Sequence, residues 1–132
     1  MRVLIVEGDL DLAREWASRL TKMDADVHLC DDAEEAAALL ADIAFDVLII
    51  DLDLAGDAAL SVGDLAQFWQ PTANVIFVSG TSVFSDGSIF RHSRNARVLL
   101  KRESPPDDLA AIAFHYGQIS RGHEERQSQF AG

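Results

Sequence analysis

Cysteine is all but missing from this chain, and Cys30 alone excludes an internal disulfide and any cysteine-rich metal site. A single thiol reads instead as a small buried apolar residue. Clustered basic residues are missing too: 22 acids outnumber 11 Lys and Arg, for a net charge of -11. That balance argues against nucleic acid and against an anionic membrane as partners. No apolar run approaches the roughly 18 residues of a membrane span, and the few apolar residues between Arg2 and Glu7 are too short for the apolar region of a signal peptide. The expected location is the cytoplasm. The four histidines, His28, His92, His115 and His123, lack ligand spacing and read as non-catalytic. Trp16 and Trp69 stand at helical positions and read as packing residues, not a base-stacking platform.

What remains is an ordinary globular composition. The chain has 132 residues, 48% of them apolar and 25% charged, which suffices for one domain around one core. Four short apolar runs punctuate it: VLIV at 3–6, VLII at 47–50, VIFV at 75–78 and VLL at 98–100, with a weaker VHLC at 27–30. Consecutive β-branched and Leu residues suit strands buried on both faces. Helix-period segments lie between them. Leu12, Ala13, Trp16, Ala17 and Leu20 form one apolar stripe after Asp9. Asp31 with Glu34, or Asp32 with Glu35, caps an Ala-rich helix reaching about Ala41. A helix over about 58–69 carries Leu60, Leu65 and Phe68 but is interrupted by Gly63. Ser104 and Pro105 open a last helix with Leu109, Ile112, Ala113 and Tyr116 on its stripe. The stretch 81–95 is rich in Ser and Gly, with little periodicity. From Gly117 the chain turns polar, and the sequence predicts a domain over 1–120 with a frayed tail over 121–132.

Alternating strands and helices imply a parallel sheet covered on both faces, with its site at the carboxyl ends of the strands. Glu7 and Asp9 follow the first run, Asp51 and Asp53 the third, Ser79 and Gly80 the fourth, and Lys101 the fifth. Taken singly, Asp9 reads as a helix cap, Ser79 as a turn residue and Lys101 as solvated surface. Asp51 follows four buried-type residues directly and should point into the crevice. Together the set suits transfer of a phosphoryl group onto a carboxylate, with Asp51 as nucleophile and neighbouring acids holding a divalent cation. Mg²⁺ suits a site of few carboxylates and several waters.

These positions, above all the stretch "DVLIIDLDLAG", resemble the receiver domains of two-component response regulators over roughly residues 1–120. The resemblance implies an α/β, flavodoxin-like fold: a doubly wound five-stranded parallel sheet in the order 2-1-3-4-5 with five helices. It implies a stand-alone receiver in which Asp51 accepts phosphate from a phosphohistidine on a histidine kinase or a histidine phosphotransfer protein. Ser79 and Lys101 would contact the phosphate, Glu7, Asp51 and the backbone carbonyl of Asp53 would hold Mg²⁺, and Gly80 would leave the pocket open. Output would pass through a separate effector protein, and the resemblance admits a homodimer through the last helix and fifth strand.

The sequence departs from the family at four places. Gly8 stands where the second, directly metal-binding acid belongs, with Asp9 one residue beyond. Arg102 replaces the usual cis proline after the Lys, Val98 the relay aromatic, and Ala55 the proline four residues past the phosphoacceptor. A cis bond before a non-proline residue costs about 2.5–4 kcal/mol, so the sequence predicts a trans Lys101–Arg102 peptide. Gly8 predicts weakened metal binding. The departures raise a second reading, a pseudo-receiver that binds partners without being phosphorylated. The order Asp51-Leu52-Asp53, Ser79, Lys101 also resembles haloacid dehalogenase-type phosphohydrolases, but those carry their metal acids after the Lys, where no further apolar strand follows here.

Overall fold

The computed structural model describes residues 1–80 and 94–131, with residues 121–131 described by backbone alone. The strands are β1 (Arg2–Val6), β2 (Asp26–Cys30), β3 (Val47–Asp51), β4 (Asn74–Ser79) and β5 (Ala96–Lys101). The helices among the described residues are α1 (Leu10–Thr21), α2 (Ala33–Asp42), α3 (Ala58–Trp69) and α4 (Pro106–Ala131). All strands pair in parallel, in the order β2-β1-β3-β4-β5. The resemblance implied five helices and the described residues contain four; most of the stretch 81–95 lies outside them.

Consecutive apolar residues form these strands because both faces of the sheet are covered. Leu4, Val6, Leu48, Ile50, Val75 and Phe77 face α2 and α3, while Val3, Ile5, Val47, Ile49, Ile76 and Val78 face α1 and α4. Alternation within each run therefore supplies two cores from one sequence of uniformly apolar residues. β2 is an edge strand and less buried, which is why its sequence signal is weaker.

Caps fix the helix starts. Asp9 Oδ1 accepts the Leu12 N–H at 3.2 Å, and Asp32 Oδ1 accepts the Glu35 N–H at 2.7 Å. Each satisfies a backbone donor that the first helical turn leaves unpaired. α4 starts with Pro106 rather than Pro105 in the first helical position, and Asp107 and Asp108 sit favourably in its first turn. The helix does not end where the apolar stripe fades at Gly117. Gly117 is buried against Met1, and the Ser120 hydroxyl donates to the Thr72 carbonyl at 2.9 Å, so tertiary contacts carry the helix onward. Cys30 is buried, and that burial, reinforced by the acids at Glu35, Asp32 and Asp31, pushes its thiol up to about 12.

Gln70, just past α3, ties the loop before β3 to the end of α3. Its Nε2 donates to the carbonyls of Leu40 at 2.9 Å and Ile43 at 2.6 Å, and its Oε1 accepts the Phe45 N–H at 2.7 Å. Since each such bond contributes roughly 1 kcal/mol net, Gln70→Ala is expected to cost about 2–3 kcal/mol in urea unfolding. A change within experimental error would show the loop to be held by packing alone.

Candidate functional site

Strand order reverses about β1, which lies between β2 and β3 and opens a crevice at their carboxyl ends. Register then places the residues. Val6 pairs Ile50, so Glu7 and Asp51 come next on adjacent strands, while Asp51 pairs Val78 and Ser79 pairs Lys101. Glu7, Asp51 and Ser79 are 2%, 3% and 5% exposed, so these polar groups must find partners inside the protein.

Their partners are one another and a residue that the motif did not assign. Arg102 Nη2 lies 2.8 Å from Glu7 Oε1 and 3.6 Å from Asp51 Oδ2. The Arg102 N–H donates to the Ser79 carbonyl at 3.0 Å, extending the β4–β5 ladder past Lys101. Glu7 Oε1 also accepts the Asp9 N–H at 2.9 Å, and Asp51 Oδ1 accepts the Asp53 N–H at 2.9 Å. Asp53 turns toward β4, where its Oδ1 accepts the Ser79 hydroxyl at 3.1 Å and its Oδ2 the Gly80 N–H at 2.6 Å. A Cβ at Gly80 would lie only 3.2 Å from Asp53 Oδ2, so glycine lets this carboxylate close over the end of β4.

Charge follows geometry. Burial is the main force pushing Glu7 up to about 7; a hydrogen bond with Asp51 and the Asp51 charge add to it, while the Asp9 N–H and Arg102 oppose it. Glu7 Oε2 is buried and accepts no hydrogen bond among the described residues. For Arg102, burial works against the charged form, yet the charges of Glu7, Asp51 and Asp53 and the hydrogen bond to Glu7 outweigh it and hold the guanidinium above its ordinary range.

The model of the family described as response regulator receiver domain matches residues 3–113. The chain belongs to this family. The fold agrees. A CheY-like receiver domain protein from Methanospirillum hungatei superposes with a TM-score of 0.82 at 18% identity, covering 92% of this chain and 97% of that one. The receiver domain of a Francisella response regulator gives 0.77 at 18% identity, covering 89% and 96%. NtrX from Brucella abortus gives 0.82 at 21% identity over 97% of this chain but 29% of its own length. No curated protein sequence matches the chain. Receiver domains are signalling modules that interact with histidine kinases and effectors, and they generally bind Mg²⁺ at acidic residues. No helix among the described residues is long and apolar enough to cross a membrane.

As a receiver, this chain brings together some of the residues expected from its sequence and leaves others apart. Glu7, Asp51, Asp53 and Ser79 converge, whereas Lys101 is exposed and makes no ion pair among the described residues. Asp9 is exposed and committed to capping α1. No described peptide bond is cis, so Lys101–Arg102 is trans as expected. The three-carboxylate group of Asp31, Asp32 and Glu35 is exposed at the start of α2.

Arg102 was legible only as a missing proline, but alternation could have found it. Leu99 packs with the α2–α3 core and Leu100 with the α1–α4 core, so Arg102 continues the parity of Leu100. Ile50 belongs to the α2–α3 core and Val6 does too, which gives Asp51 and Glu7 that same α1–α4 parity. Lys101 has the opposite parity.

Mg²⁺ demands near-octahedral oxygen ligands and keeps waters beside one or two carboxylates. Here Gly8 supplies no carboxylate, Glu7 Oε1 is engaged by Arg102 and Asp9, and a guanidinium nitrogen stands between Glu7 and Asp51. With the side chains so arranged, the residues do not fit the ion. Room is not the obstacle. A Cβ at Gly8 would meet only Leu54 Cδ2, at 3.6 Å, and a cavity of about 220 Å³ adjoins it, lined by Glu7, Leu10, Ala13, Leu29, Cys30, Asp31 and Glu35.

Proposed function

We propose that Asp51 accepts a phosphoryl group from a phosphohistidine on a histidine kinase or phosphotransfer protein, and that the chain passes the resulting state to a separate effector protein. The observation that carries this reading is the setting of Asp51. It ends β3 at the crevice, with Oδ1 oriented by the Asp53 N–H and Oδ2 facing a cationic nitrogen. In the transfer, an Asp51 carboxylate oxygen attacks phosphorus and the donor's P–N bond breaks. The imidazole departs with that electron pair, leaving an acyl phosphate. Among the described residues, the Arg102 guanidinium is the cation paired with Asp51 and so faces the incoming phosphate oxygens, and such planar donors suit phosphate well. Ser79 reaches the phosphate by exchanging its bond to Asp53, and Lys101 approaches from the surface.

The second reading, a module that binds partners without phosphorylation, is favoured by the same Arg102. A carboxylate that is 3% exposed beside a resident cation already has what a metal or phosphate site would otherwise supply. Intact-mass measurement after incubation with a small phosphodonor and Mg²⁺ separates the two. One phosphate adduct, lost in Asp51→Asn, is expected; an unmodified wild type would leave the binding module as the reading. A metal held by Glu7, Asp51 and the Asp53 carbonyl requires Arg102 to withdraw.

A further inference from the structure

We propose that Arg102 is the resident cation of the acid crevice, a built-in competitor that holds Glu7 and Asp51 together and keeps divalent metal ions out. The inference takes the identity of the excluded ion from the receiver reading, but it stands on the geometry of this chain. The guanidinium pairs with Glu7 at 2.8 Å, and Glu7 has a wholly inaccessible side chain. The same nitrogen lies 3.6 Å from Asp51, and Asp53 adds a third negative charge in its field. Trans geometry at Lys101–Arg102 and the ladder bond to the Ser79 carbonyl fix the backbone from which the side chain enters. Its side chain passes beside Gly80, where a built Cβ would touch Arg102 Cδ at 3.7 Å.

Two departures from the family thereby explain each other. Gly8 removes one negative charge from the crevice, and Arg102 adds one positive charge to it. The missing acid and the added base are one substitution in electrostatic terms: an internal monovalent charge in place of an external divalent one. Partial exposure of Arg102, at 31% of its side chain, lets the guanidinium swing out when it is displaced.

Mn²⁺, followed as free ion by electron paramagnetic resonance, tests this without any phosphodonor. Wild-type protein, Arg102→Ala, Arg102→Met, and the double variant Gly8→Asp with Arg102→Ala are titrated side by side, with circular dichroism to show that each is folded. Arg102→Met keeps the aliphatic stem, so one folded single variant remains even where truncation to Ala disturbs the loop. Wild type is expected to show no saturable site. Either Arg102 variant is expected to gain at least about tenfold in affinity, and the double variant more, because affinity follows the charge of the ligand set. Wild-type binding as tight as that of the single variants overturns the proposal. So does the lack of a site in the double variant. Failure of Asp51 to take phosphate would overturn the proposed function and leave this result untouched.

Discussion

Trp16→Ala is expected to destabilise the protein by about 3–5 kcal/mol, the range for removing a large aromatic side chain from a core. Trp16 lies on α1 with no exposed surface and belongs to the cluster that joins α1 and α4 to Val3, Ile5 and Ile49. Truncation leaves a void between two helices that are held by different strands, so collapse around it is limited. For a chain of this length the loss corresponds to a Tm lower by roughly 10–20 °C. Trp16→Phe should lose far less. The indole Nε1–H is buried with no hydrogen-bond partner among the described residues, so replacing the indole removes an unsatisfied donor along with some volume. Urea unfolding of both variants checks this, and equal losses in Ala and Phe would contradict it.

Glu7 is expected to make stability fall as pH rises. Its carboxyl is pushed up from 4.5 to about 7 in the folded protein, chiefly by burial, so the folded state holds a proton that the unfolded state has released between those values. The stabilisation is complete below about pH 4.5 and is lost as pH climbs through about 7. At about 1.4 kcal/mol per unit, the change across that window is on the order of 3 kcal/mol. Glu7→Gln has no proton to lose while keeping an oxygen for Arg102 and a donor for Asp51. The comparison isolates this group from the remaining acids, which titrate in both proteins. Unfolding free energies measured from about pH 4 to 8 should show the variant gaining on wild type across the window. A constant difference would mean that Glu7 titrates alike in the folded and unfolded states.

The strands were legible because burial on both faces leaves little room for polar residues, so VLIV, VLII and VIFV announce themselves without help from context. β2 was fainter because one of its edges has no neighbour. The cap at Asp9 was equally legible, since a capping bond spans only three residues, and of the two caps the sequence offered for α2 the structure uses Asp32. The course of α4 from Gly117 to Ser120 was hidden: what sustains it is contact with Met1 and Thr72, distant in sequence, rather than a local pattern. Gln70 was hidden for the same reason.

At the site, Glu7, Asp51 and Ser79 were legible from their places after strands. The pairing of Arg102 with these acids was not. Motif order alone assigns the cation to Lys101, whereas the pleat turns adjacent residues to opposite sides and delivers Arg102 to the acids. Asp53 was expected to contribute its backbone carbonyl, yet its side chain is what closes the end of β4.

The proposed phosphoryl transfer makes Asp51 the single modified carboxylate of this crevice. An acyl phosphate is reduced by borohydride to the corresponding alcohol, so an aspartyl phosphate is recorded as homoserine at the modified position. Phosphodonor treatment, borohydride reduction and peptide mass mapping should find homoserine at position 51 alone. Reduction at Asp53 or Glu7 instead, or at no position in folded protein, would contradict the claim.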